Sequence, residues 1–141
     1  MKRFTFKLEK VMQWRKFKEE ECKIELGKAV SNLNMIENDI KITAVKRQSA
    51  ASQRFNATND IGAWNNYILR LDQETERLME KAAQAEIIVE EKRALYLEAS
   101  KDLKALEKLK EKQEKEHRKE MLDYQMAEID DLTASRYEVG V

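Results

Sequence analysis

The chain has 141 residues, which allows one domain, and 38% of them are charged, none is proline and three are glycine. With a mean hydropathy of −0.76, this composition indicates long solvent-exposed helices and excludes a globule with a thick core. The 27 basic and 27 acidic side chains balance, which argues against nucleic acid as a partner, because phosphate contacts need a clear excess of basic residues.

The first predicted element is a helix of about residues 3–54. Its apolar residues recur at alternating steps of three and four, the spacing of a helix that packs along another helix. The polar exceptions gather near the N-terminus and toward the turn. Gly27 falls inside this helix and predicts either a weak point or a close approach of the two backbones. The predicted seam consists of Leu8, Met12, Arg15, Glu19, Cys22, Leu26, Ala29, Leu33, Ile36, Ile40, Thr43, Arg47 and Ala50.

A turn is predicted at about residues 55–61, where Asn, Asp, Thr and Gly cluster and the helical pattern loses phase. Asn59 or Asp60 is the predicted N-cap of the second helix, because its side-chain oxygen can accept a bond from a backbone N–H that has no helical partner. Trp64 is predicted to close this end of the hairpin.

The second predicted helix, about residues 62–136, has a more regular seam and is longer than the first. A short connection makes the two helices antiparallel, and pairing about residue 58 places Leu8 near Lys110. From roughly His117 onward the second helix should overhang the first, ending in a frayed tail. The predicted seam consists of Ile61, Trp64, Ile68, Leu71, Thr75, Leu78, Ala82, Ala85, Val89, Lys92, Tyr96, Ala99, Leu103 and Leu106.

The fold class predicted from these elements is all-α. Two long helices form an antiparallel coiled-coil hairpin, as a single domain over residues 1–141, and the second helix is longer and overhangs the first.

A second apolar stripe lies on the predicted overhang, beyond the charged stretch KALEKLKEKQEKEHRKE of residues 104–120. It consists of Leu122, Met126, Ile129 and Leu132 at helical spacing. The predicted hairpin leaves no intramolecular surface for these side chains, so the stripe indicates an interface.

The sequence shows no phosphate-binding glycine loop, no metal-ligand spacing and no catalytic triad. The single histidine, His117, is expected to be solvent-exposed, and Cys22 is interpreted as a small buried hydrophobe. Trp14 fits either a packing anchor or a partner anchor. No apolar run has the length of a signal peptide or a membrane span. We therefore expect a cytoplasmic protein that is not an enzyme, has no cofactor, metal or small-molecule substrate, and is monomeric in isolation.

Three stretches carry a resemblance that covers almost the whole chain. The opening FTFKLEKVMQWRKFKEEE has an aromatic residue, spaced leucines, an Arg and then glutamates. After the turn, AWNNYILRL contains a Trp-x-Asn-Tyr element, and EIDDLTASR is similar to a closing Leu-Asp-Glu-x-Ala-x-x-Arg pattern. In this order the stretches resemble the FliJ family of flagellar type III export proteins, which are related to the YscO-type proteins of injectisomes.

The resemblance implies a stalk-like component of the flagellar export apparatus. Family members bind the hexameric export ATPase, engage the cytoplasmic domain of the membrane export gate and escort export chaperones, at the inner-membrane base of the flagellum. The ATPase-binding end is then expected to comprise Phe4, Leu8, Arg15, Leu122, Met126, Ile129, Leu132 and Arg136.

The likeness departs from the family at the gate site, where Arg70 and Glu74 stand in place of apolar contact residues. We expect a compensating gate surface at Phe55, Tyr67 and Leu69. The alternative function is a generic coiled-coil adaptor or chaperone that binds client helices along its side and has no ATPase partner.

Overall fold

The computed structural model describes residues 3–53 and 60–139, with side chains described as far as Arg136. Helix α1 comprises Glu9–Ser52 and helix α2 comprises Ile61–Val139, 44 and 79 residues long. No strand occurs in these ranges. The predicted all-α fold class, with two long helices in an antiparallel hairpin and the second one longer, is confirmed.

The start of α1 differs from the expected one. The helix begins at Glu9, not near residue 3, and its first turn is marked by bonds from Glu9 N–H to Phe6 O (3.2 Å) and from Met12 N–H to Leu8 O (2.9 Å). Both Phe4 and Phe6 pack toward α2. Side chains two residues apart point the same way only in an extended chain. The segment before Glu9 is therefore not helical, and this allows both rings to pack against α2.

The start of α2 has the predicted N-cap. Ala63 N–H donates to Asp60 Oδ1 at 3.0 Å, and Trp64 N–H donates to Asp60 O at 3.2 Å. Asp60 is thus the N-cap of the two candidates, and Asn59 lies outside the described residues, as does most of the predicted turn. The other end of α2 is at Val139, beyond the expected end near residue 136.

The contacts divide the chain into two compact units. Unit 1 comprises Met1–Glu19 with Ala99–Val141, and unit 2 comprises Glu20–Glu98. In each unit a segment of α1 packs antiparallel to a segment of α2. The organisation as a single domain stays a prediction.

Unit 2 is closed near the turn by two side chains that cross between the helices. Trp64 Nε1 donates to Ala50 O at 2.7 Å, in the last turn of α1, where Ala50 O also accepts a bond from Gln53 N–H at 3.2 Å. Arg47 Nε donates to Asp72 Oδ1 at 2.6 Å, and this hydrogen bond raises the pKa of Arg47 above its ordinary value. Both pairs are consistent with pairing about residue 58. Buried side chains of this unit are Thr43, Ala50, Leu71, Leu78, Ala85 and Val89.

Two predicted seam positions near the turn are exposed. Ile61, the first residue of α2, is 62% exposed, because it lies beyond the last packed layer of α1. Arg47 is also exposed, since its guanidinium reaches out to Asp72.

Gly27 does not mark a close approach of the two backbones. A Cβ atom built at this position would meet no other atom within 4 Å. The close-approach interpretation is therefore wrong, and the glycine only adds conformational freedom to the unfolded chain.

We expect Gly27→Ala to raise the free energy of unfolding by about 0.5–1 kcal/mol, since alanine loses less backbone entropy in a helix and meets open space here. Urea denaturation followed by circular dichroism measures the change. Gly62→Ala is the matched control and should change stability less, because Gly62 lies in the first turn of α2. A destabilised Gly27→Ala variant would contradict the expectation.

Candidate partner-binding site

The end of unit 1 is built on a small apolar cluster. Phe6, Met12, Leu103 and Leu106 are buried together, and Phe4 and Leu109 pack against them. The non-helical segment before Glu9 thus covers α2 where α1 no longer does. Phe6 and Leu109 were not predicted to contribute to this end, although the alternation of Phe4, Phe6 and Leu8 was a signal for an extended segment.

Two polar contacts hold α1 against α2 in this unit. Arg15 Nη1 donates to the backbone oxygen of Asp102 at 3.0 Å, and Lys110 Nζ lies 3.2 Å from Glu9 Oε2. The half-buried Arg15 therefore holds the first turns of α1 against α2, because its guanidinium is directed at the α2 backbone. The Lys110–Glu9 ion pair is partly exposed, and such pairs contribute little to stability.

His117 is half-buried, not solvent-exposed as expected. Its ring centroid lies 5.5 Å from that of Phe4, with the two planes tilted by 44°. The expectation was wrong because it assumed an uninterrupted first helix, whereas the extended segment carries Phe4 over the imidazole.

Beyond this contact, the predicted interface residues are open to solvent. Every side chain from Leu122 to Arg136 is exposed. We call Leu122, Met126, Ile129 and Leu132 the C-terminal stripe, and their exposed fractions lie between 60% and 66%. At steps of four, three and three they share one side of α2. Of the other predicted residues of this end, Phe4 and Arg15 are half-buried against earlier turns of α2, and Leu8 is exposed.

The predicted gate residues lie near the start of α2, in unit 2. Tyr67 is 39% exposed and Leu69 is 55% exposed, while Phe55 lies outside the described residues. Glu74 accepts a bond from Arg77 Nε at 3.0 Å, which lowers the pKa of the Glu74 carboxyl. Position 74 therefore presents a paired charge near the predicted gate residues.

Exposed apolar residues also follow the outer side of α1 in unit 2. They repeat the seam spacing with an offset of two residues, which places them on the side away from α2. Polar residues such as Arg70, Arg77 and Glu80 hold the equivalent positions of α2. The sequence contained this signal as a second apolar repeat in α1, in addition to the predicted seam. The residues are Ile24, Met35, Ile42 and Val45.

No group of three or more His, Cys, Asp or Glu that could hold a metal ion occurs among the described residues. None of the described helices combines the length and the apolar character that crossing a membrane requires.

The family of the chain follows from a comparison with protein-family models. The family model for the flagellar FliJ protein matches residues 4–140. The chain belongs to the FliJ family. Membership gives it a role associated with flagellar protein export, in a family of non-enzymatic components, and agrees with the helical hairpin. No curated protein and no solved structure matched the chain.

Proposed function

We propose that the chain is a stalk-like component of the flagellar export apparatus that binds the export ATPase ring through unit 1 and links it to the export gate through unit 2. It works in the cytoplasm, at the inner-membrane base of the flagellum, and escorts export chaperones. The proposal rests on family membership and on one observation: the C-terminal stripe has no intramolecular cover among the described residues.

The stripe supports ATPase binding because it is a continuous apolar surface on a helix that extends past its partner. Its four large side chains are spread over about 15 Å at 1.5 Å per residue. Large exposed apolar patches on a protein surface commonly mark interaction sites. The four side chains can enter apolar pockets, and Arg136 on the same segment can pair with a carboxylate of the ring.

Two other residues of the predicted ATPase-binding end support the stripe without contacting the ATPase. Phe4 and Arg15 attach the start of the chain to α2, so that the stripe projects from a braced helix. Leu8 is exposed next to them and adds a separate apolar side chain to this end of unit 1. We therefore assign direct contact to Leu8 and the C-terminal stripe, and support to Phe4 and Arg15.

Co-purification of the full chain with the hexameric export ATPase tests this function, with ATP hydrolysis measured at increasing chain concentration. We expect binding and stimulated hydrolysis. A generic adaptor predicts neither, so a chain that binds client helices and leaves the ATPase unaffected would overturn the proposal.

The gate contact is proposed for Tyr67 and Leu69, together with Phe55. Tyr67→Ala with Leu69→Ala should weaken binding of the gate's cytoplasmic domain about tenfold, because aromatic and aliphatic anchors carry much of an interface's energy. The melting temperature should stay within a few degrees, since both side chains are largely exposed. Calorimetric titration and thermal melts provide the two measurements.

Ile87→Ala is the control for the gate experiment, because Ile87 is exposed on α2 in the same unit. Unchanged gate binding in the double variant would move the contact to another surface, of which the outer side of α1 at Ile42 and Val45 is the first to examine.

A further inference from the structure

Two large aromatic side chains of unit 1 lie on the wrong side of α1 for the hairpin core. Trp14 is 58% exposed and Phe17 is 65% exposed, whereas the neighbouring Met12 is buried and Arg15 faces α2. A helix turns by about 100° per residue, so Trp14 and Phe17 point away from α2. The Trp14 ring is held by Lys18, whose Nζ lies 5.6 Å from the ring centroid.

The surroundings of these rings are basic. Residues 7–18 contain five basic side chains and one acidic side chain, Glu9, and Glu9 pairs with Lys110. Lys10 lies one helical turn before Trp14 on the same side of α1, and Lys7 is exposed just before the helix begins. We call Lys7, Lys10, Trp14 and Phe17 the basic aromatic face.

The segment that carries the C-terminal stripe has the opposite charge. Residues 122–136 contain four acidic side chains and one basic side chain, Arg136. Unit 1 thus carries two uncovered apolar surfaces, one surrounded by lysines and the other by carboxylates. The acidic residues are Asp123, Glu128, Asp130 and Asp131.

These surfaces cannot meet within one chain. Arg15, next to Trp14, contacts Asp102 of α2, and the stripe begins about 30 Å further along the same helix at 1.5 Å per residue. Two copies side by side and antiparallel can bring them together. Along the hairpin, the basic aromatic face lies on one side of the Phe4–His117 contact and the C-terminal stripe lies on the other. A two-fold axis near the Phe4–His117 contact therefore brings each face against the stripe of the other copy, so that the face–stripe contact forms twice.

The helix between the two surfaces tolerates such an arrangement. Residues 107–120 contain six basic and five acidic side chains, with the signs interspersed. Antiparallel copies of this segment therefore place mixed charges opposite each other, and no block of like charge opposes the approach.

We propose that the free chain forms a two-fold dimer in which the C-terminal stripe of each copy lies along the basic aromatic face of the other. The dimer replaces the expectation of a monomer and does not depend on the proposed ATPase contact. It covers the stripe, so the ATPase ring and the second copy would compete for the same residues.

Sedimentation equilibrium of the full chain in low salt, at about 1–200 μM, tests the dimer in the range typical of small interfaces. We expect a monomer–dimer equilibrium that weakens with salt. Lys7→Glu with Lys10→Glu should raise the dissociation constant at least tenfold, because like charges then face each other. Glu128→Lys with Asp130→Lys should do the same.

Combining the two reversals in one chain is the decisive variant. Each interface then has opposite charges again, and dimerisation should return. Ile87→Ala is the matched control and should leave the dimer unchanged, because Ile87 is as exposed as the stripe but lies in unit 2. Circular dichroism checks folding, and Trp14→Ala with Phe17→Ala is an uncharged variant that should also dissociate the dimer.

A monomer throughout the concentration range overturns the proposal. So does a dimer that both charge reversals leave intact, or a combined variant that does not recover. A chain that stays monomeric but sediments with vesicles of anionic lipid, and loses this with Trp14→Ala, would show that the face binds a lipid surface instead.

Discussion

Replacing Leu122 and Ile129 together by glutamate is expected to abolish stimulation of the export ATPase while the helix content of the chain stays unchanged. Both side chains are 60% exposed, so the substitutions remove no buried packing. Against an apolar surface of the ring, two carboxylates would cost on the order of a few kcal/mol in desolvation, which corresponds to about 100-fold weaker binding. ATP hydrolysis and co-sedimentation with the ring are the measurements.

A variant with the same added charge separates the stripe from electrostatics. Tyr124→Glu with Ala127→Glu adds two carboxylates to the same exposed segment, on another side of α2. It should retain most of the stimulation. Removal of residues 122–141 should match the stripe variant and leave the hairpin folded. The ATPase assignment is lost if the stripe variant stimulates like the unmodified chain.

Met12→Ala is expected to have the largest effect on stability, a loss of about 2–4 kcal/mol in the free energy of unfolding. Met12 is 2% exposed and lies in the cluster with Phe6, Leu103 and Leu106. Truncation of a buried methionine removes its transfer free energy and leaves a cavity that the helices fill only in part. Hydrogen exchange should show faster opening of residues 9–19, and urea denaturation gives the total loss.

Val11→Ala is the neighbouring control, because Val11 is exposed and surface substitutions of this kind usually change stability by less than about 0.5 kcal/mol. Equal stability of the Met12 and Val11 variants would show that the cluster does not hold the start of the chain against α2.

The hydrophobic spacing was sufficient to predict the paired helices. Leu78, Ala85 and Val89 are buried as their seam positions require, since steps of three and four place side chains on one side of a helix wherever it packs. Asp60 was predicted as a candidate N-cap for a similar reason: its interaction reaches only three residues along the chain, to Ala63. The exposed stripe followed from comparing the lengths of the two helices.

The failures concern contacts between segments that are distant in the chain. His117 was expected in solvent because nothing local covers it, and only the path of the segment before Glu9 brings Phe4 to its ring. The close approach expected at Gly27 depended on the distance between helices, which spacing along one helix does not contain. The hydrogen bond from the Arg15 guanidinium to the backbone oxygen of Asp102 was likewise not predicted, and the contact of Arg15 with a partner protein stays a prediction.

The sequence by itself determined the two helices, their antiparallel pairing and the apolar residues left on the longer one, because these depend on the period of side chains along the chain and on the shortness of the turn. Only the tertiary structure decided where α1 begins, which residues brace the end of unit 1 and which outer surfaces stay uncovered. These depend on side chains that meet across the two helices. Phe4, Phe6 and Arg15 make contacts with α2 that they would not make if α1 continued to the start of the chain and Arg15 pointed into solvent.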